Sequence, residues 1–211
     1  MLERTIQWVV TLLGVVLCMF TLVAVNYNVL QPQSALAFFI MLGMVLCFLR
    51  YPSAKWIERL VKGETASGEA APSWGTTLWF VDRIFGVLLA LASFLCFAYI
   101  FVQTEPIEYF KDHFWAGGIS LGNRAGQETT MDLAIGVVGI ILVLEATRRS
   151  IGWIVPALAT AFILHAYFAP QLPDWLLPHA GLNPTQIVGN TFLQSLGVLG
   201  PAASVMFKYV F

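Results

Sequence analysis

An all-α integral membrane protein is the fold class this sequence predicts, and three observations predict it. Hydrophobic residues make up 58% of the chain and charged residues only 11%, where a soluble domain carries about 25% charged residues. No charge separates Arg4 from Arg50. The charged knot Glu145-Ala146-Thr147-Arg148-Arg149 stands between two uncharged runs, 133–144 and 150–173. About 20 apolar residues cross a hydrocarbon core. The apolar runs therefore account for five transmembrane helices and allow a sixth.

The run between Arg4 and Arg50 is too long for one span. Asn26-Tyr27-Asn28 and Gln31-Pro32-Gln33-Ser34 break it with turn-forming residues. Helices are expected at 5–25 and 34–49. The first is too long for the apolar core of a signal peptide and lacks a small-x-small cleavage site, so it reads as a retained span. Residues 55–62 alternate apolar and charged side chains at helical spacing, which suits an amphipathic turn on the membrane surface. Residues 63–73 are small and polar and read as a flexible linker.

Asp82 and Arg83 are expected at the start of a third span, 83–102. There Gly86, Ala90, Ala92 and Ser93 permit close helix packing. A second polar segment follows at 103–130, with Tyr109, Phe110, Phe114 and Trp115 suited to the headgroup level. The fourth span is expected at 130–148 and the fifth at 151–168. Pro156 in the fifth lies near the first turn, where a proline costs little hydrogen bonding. Residues 169–189 hold four prolines and read as an irregular connection. The sixth apolar stretch, 191–211, is interrupted by Gly197, Gly200 and Pro201 and is a weaker helix.

Lysine and arginine placement gives the orientation. With a cytoplasmic N-terminus, Arg4, Arg50, Lys55, Arg59, Lys62, Arg83, Arg148, Arg149 and Lys208 fall inside. Lys111 and Arg124 fall outside. The amphipathic linker near 51–80 is then cytoplasmic.

Few residue patterns point to chemistry. Cys18, Cys47 and Cys96 each lie in an apolar run and read as buried packing residues. His113, His165 and His179 form no metal-ligand spacing. There is no P-loop and no Gly-x-Ser-x-Gly elbow. The residues call for no metal, no other cofactor and no nucleic-acid partner. Asp82 and Asp132 sit at span boundaries and read as solvated interfacial carboxylates. Gly136 and Gly139 read as packing positions.

The knot is the sharpest feature. At 3.6 residues per turn, Glu145 faces both Arg148 and Arg149. Arginines near a helix C-terminus are favoured by the macrodipole and offset the poorly placed glutamate. Their stems are expected to lie along apolar surface with the guanidinium groups at the headgroups. This makes Glu145, Arg148 and Arg149 interfacial anchors. A proton or substrate relay through Glu145 is the competing reading.

The same residues carry a family resemblance. Val143-Leu144-Glu145-Ala146-Thr147-Arg148-Arg149, followed by Gly152-Trp153 and Pro156, resembles the fused membrane permeases of tripartite ATP-independent periplasmic (TRAP) transporters, nearest to the TAXI type. Tyr167-Phe168-Ala169-Pro170, Leu172-Pro173, His179, Gly181 and Gly197-Val198-Leu199-Gly200 resemble the connection that follows in that family. The resemblance covers the C-terminal third of the chain; the N-terminal helices match in layout alone.

The resemblance implies a division of the chain. Residues 1–150 would be the small TRAP membrane domain of four helices. Residues 151–211 would be a fifth helix and a connection towards the large permease domain, with Trp153 joining the anchor set. It further implies an accessory, non-enzymatic role in a bacterial inner membrane. The partners would be a large TRAP membrane subunit or domain, a periplasmic substrate-binding protein and the lipid bilayer. The transporter would be a secondary one, often a sodium symporter for organic acids. The sequence assigns no substrate-binding residue. Two other classes stay open: a scaffold subunit of another membrane complex, and a membrane enzyme using Glu145 or His165. The last requires two groups near opposite membrane faces to cooperate.

Overall fold

A computed structural model of the chain describes residues 2–27, 30–53, 73–171 and 181–210. It is all-helical among these residues. Five helices are long and apolar enough to cross a membrane: α1 (Leu2–Asn26), α2 (Pro32–Arg50), α3 (Ser73–Thr104), α5 (Thr130–Ser150) and α6 (Ile154–Phe168). A short helix, α4 (Glu108–His113), lies between α3 and α5. The expected amphipathic turn at 55–62 lies outside the described residues. So do the linker up to residue 72 and Leu172, Pro173 and His179 of the family resemblance.

Helix α2 is the centre of the bundle. Pro32 opens it at the first turn, where its missing N–H costs nothing. Ala37, Met41, Met44 and Phe48 are buried along its length. Helix α3 packs along it through Ala90, Ser93 and Phe97. At Gly86 the two backbones approach closely: a methyl there would stand 3.1 Å from the Phe48 carbonyl oxygen. The small residues of the third span thus serve the close packing expected of them. Helices α1 and α6 are peripheral and present Leu12, Met19, Leu158 and Phe162 outward. Cys18 belongs to this outward set. It is exposed, whereas Cys96 is buried, so the expectation of three buried cysteines is corrected at Cys18.

Helix α3 begins ten residues before the expected 83. Asp82 and Arg83 therefore lie inside it rather than at its start. The reason is local: the last turn of α2 and the chain just after it supply their partners. The Ser53 N–H donates to both Asp82 oxygens at 3.1 and 3.2 Å, and Arg83 Nη1 donates to the Leu49 carbonyl at 2.9 Å. Charges engaged in this way need not end a helix.

Helix α5 is framed by its own sequence. Thr129 and Asp132 form a reciprocal capping box at its start, satisfying two donors that the first turn leaves open. At its end Gly152 takes a φ of 114°, a conformation natural to glycine alone. That turn sends the chain straight into α6.

The sixth apolar stretch does not form one helix. It begins inside a π turn (Gly189–Leu193) that continues α7 (Pro184–Val188), a helix formed within the connection expected to be irregular; after a break come α8 (Pro201–Val205) and a second π turn (Met206–Val210). Non-helical backbone at membrane depth is tolerated only where protein buries it. Here Phe192, Leu193 and Leu199 are fully buried. The Phe192 ring occupies the space left by Gly139, Val188 and Leu193 occupy that left by Gly136, and Gln33 Nε2 holds the Leu193 carbonyl at 2.8 Å. The two glycines of the fourth span are packing positions, as the sequence suggested. Their neighbour is this broken segment.

The break also relocates Lys208. It lines a cavity with Ala24, Val25, Leu30 and Pro32, at the end of the bundle opposite Arg50, Arg148 and Arg149. The expectation that Lys208 shares their side is therefore corrected: a segment that does not cross cannot deliver it there. Among the described residues, Arg4, Arg50, Arg83, Arg148 and Arg149 then lie at one end and Lys111, Arg124 and Lys208 at the other.

Candidate functional site: a charged clasp at each end of the bundle

The knot folds inward. Glu145 accepts from Arg148 Nε and Nη2, both at 2.7 Å, and from Arg149 Nε at 2.8 Å. The two-pronged Arg148 contact is the strong geometry for a guanidinium and a carboxylate. Helical spacing of three and four residues sets both pairs.

The partners beyond this triad come from the chain just after α2. Arg148 Nη2 donates to Ser53 Oγ at 2.9 Å and Arg149 Nη2 to the same oxygen at 3.1 Å. Arg148 Nη1 donates to the Ser53 carbonyl at 3.2 Å, and Arg149 Nη1 to the Tyr51 carbonyl at 3.3 Å. Ser53 Oγ donates to Glu145 Oε1 at 3.4 Å. With its N–H on Asp82, Ser53 joins α2, α3 and α5 at a single residue. Sequence reading passed over it; the only signal is a small polar residue in Tyr51-Pro52-Ser53, directly after a helix that ends in Arg50.

The two arginines differ. The Arg148 side chain is 20% exposed, and its guanidinium carbon stands 5.1 Å over the Trp153 ring. That pair fits an interfacial anchor. The Arg149 side chain is 0% exposed. Its guanidinium carbon lies 5.3 Å from the Phe48 ring and 5.6 Å from the Phe85 ring. Arg149 therefore points into the bundle, against the expectation that both guanidinium groups reach the headgroups. The space is left by Gly86, which has no side chain to fill it, and the two ring faces attract a cation.

A second clasp closes the opposite end. Asp132 is 0% exposed, so the expectation of a solvated carboxylate is corrected. It accepts from the Tyr99 hydroxyl at 2.7 Å, from the Thr129 N–H and hydroxyl at 2.8 Å each, and from Arg124 Nη2 at 3.4 Å. Arg124 Nη2 also donates to Gln103 Oε1 at 2.8 Å. The turn Leu121–Asn123 carries Arg124 back over α5. Spacing alone could not show this, because the chain from Arg124 to Thr129 is a loop and no helical periodicity relates Arg124 to Asp132. Nearby, Gln103 Nε2 holds the Phe114 carbonyl and Trp115 Nε1 holds the Val102 carbonyl. The aromatic segment is thereby fastened to the end of α3.

Both clasps have their carboxylates saturated by donors. Ser53 Oγ receives two cationic donors, which opposes its use as a nucleophile. Asp82 and Asp132 lie at opposite ends and cannot act as a pair, and Glu145 and His165 are separated in the same way. Among the described residues, no group of His, Cys, Asp and Glu could hold a metal ion. His113 stacks on Tyr109 at 4.5 Å on the exposed face of α4.

The class defined by this architecture is a multi-pass helical membrane protein. Comparison with protein-family models, curated proteins and solved structures finds no match.

Proposed function

We propose that this chain is the accessory membrane component of a TRAP-type, binding-protein-dependent secondary transporter in a bacterial inner membrane. In this reading it braces a large transport subunit or domain and helps a periplasmic substrate-binding protein to dock. The observation that carries the proposal is the knot. Its residues bear the family resemblance, and its geometry is that of a brace. Three charges and Ser53 are spent on joining α2, α3 and α5, with the buried guanidinium held between Phe48 and Phe85. A buried ion pair adds little net stability but can specify one arrangement of helices. The peripheral helices α1 and α6 then offer apolar faces to lipid and to the large subunit. Trp153 and Ile154 at the start of α6 are 71% and 85% exposed.

Reconstitution tests this directly. Proteoliposomes holding this chain alone should show no substrate uptake, and uptake should appear when a large TRAP subunit and a binding protein are added. Uptake by the chain alone would sink the accessory reading. Topology supplies a second test. A reporter fused near Gly68 should read cytoplasmic and one near Gly118 periplasmic. Reversed signals would overturn the orientation and place the knot on the wrong side for this role.

A further inference from the structure

At the end opposite the knot, α1, α2 and the last π turn surround a cavity of about 390 Å³. That size falls in the range of small-ligand sites. Ala24, Leu30, Ala35 and Leu36 give it apolar walls. Phe207 closes it from within: the residue is 6% exposed, and its ring stands 5.4 Å from Phe39 and 6.2 Å from Phe20. Among the described residues Lys208 is the one charged residue on its lining, and Tyr209 beside it is 80% exposed. Lys208 is exposed and pairs with no carboxylate among the described residues. Glu105, at the neighbouring end of α3, is engaged by the Gln31 N–H at 3.3 Å.

The polar lining residues, Ser204, Lys208 and Tyr209, all belong to the last helical segment, and the walls from α1 and α2 offer a water no side-chain partner. A membrane-end cavity with apolar walls suits a hydrocarbon chain. An exposed lysine on the lining adds a preference for negative charge, since such a stem can follow an apolar wall while its ammonium stays in water. We propose that this cavity holds one acyl chain of an anionic phospholipid, with the Lys208 ammonium on its headgroup phosphate. Basic pockets between membrane helices take lipid headgroups by this chemistry.

Native mass spectrometry of the full chain, stripped of lipid and offered phosphatidylglycerol or phosphatidylcholine of identical acyl chains, tests the proposal. One phosphatidylglycerol should be retained about fivefold better than phosphatidylcholine, the effect of one lysine near an anionic membrane surface. Lys208→Ala should bring the ratio near one while a lipid still binds. Ala24→Phe should cut retention of both lipids, with helix content by circular dichroism confirming the fold. Should that variant misfold, the Lys208→Ala ratio still decides. Equal retention of the two lipids by the unaltered chain, or a preference untouched by Lys208→Ala, overturns the proposal. So does displacement of the lipid by soluble glycerol phosphate, which would place the affinity in the phosphate alone.

Discussion

Glu145→Ala is expected to destabilise the bundle by about 3–5 kcal/mol, the cost of leaving a buried charge without its counter-charge. The loss falls on Arg149. Its side chain is fully buried between Phe48 and Phe85, so it has no path to water. Only neutral oxygens of Tyr51 and Ser53 would remain to it. Arg148 is different, because its side chain is 20% exposed and half-solvated pairs are worth about 1 kcal/mol or less. Arg148→Ala should therefore cost far less than Glu145→Ala. The double variant Glu145→Leu with Arg149→Met should recover much of the loss, since it removes both buried charges together. Reversible unfolding in mixed micelles measures all three. Equal losses for Glu145→Ala and Arg148→Ala would show that Arg149 reaches solvent and that the knot is a surface feature.

This asymmetry marks how far the sequence could be read. Helical spacing showed that Glu145 meets both arginines, and the structure places both on it. Spacing could not show which arginine turns inward, because that depends on the space beside Gly86, and Gly86 belongs to a different helix. Ser53 was invisible for a related reason. Its role comes from the chain folding back after Arg50, and a lone serine in a turn carries no pattern. The start of α3 was misplaced because a charged pair ordinarily marks a membrane boundary. Here Ser53 engages Asp82 and the Leu49 carbonyl engages Arg83, and the helix continues through the pair.

The spans themselves were legible because hydropathy acts residue by residue and needs no partner. The broken segment was half legible. Gly197, Gly200 and Pro201 announced an interruption, and Gly136 and Gly139 announced a close neighbour. Nothing in one dimension joined the two facts, which Phe192 joins in three. Lys208 was then carried to the wrong end by assuming that an apolar stretch must cross.

Asp132→Ala should be about as damaging as Glu145→Ala, for a combination of reasons that can be separated. The substitution strips Arg124 of its only ionic partner among the described residues, where the Arg124 side chain is 3% exposed. It also removes half of the capping box, worth about 1 kcal/mol, and leaves the Tyr99 hydroxyl without its acceptor. Asp132→Asn keeps an oxygen for the Thr129 N–H but loses the charge. It should recover the cap and leave the Arg124 penalty in place. Arg124→Met in the Asp132→Ala background should then recover the ionic part of the loss and leave the cap and Tyr99 parts, so the three variants together apportion ion pair and cap. The two clasps stand about 20 Å apart along α5, thirteen residues at 1.5 Å each, too far to share partners. Glu145→Ala and Asp132→Ala should consequently add within about 0.5 kcal/mol. A large departure from additivity in the same micelle assay would mean that α5 moves as one rigid strut, so that loosening one end of the bundle already releases the other.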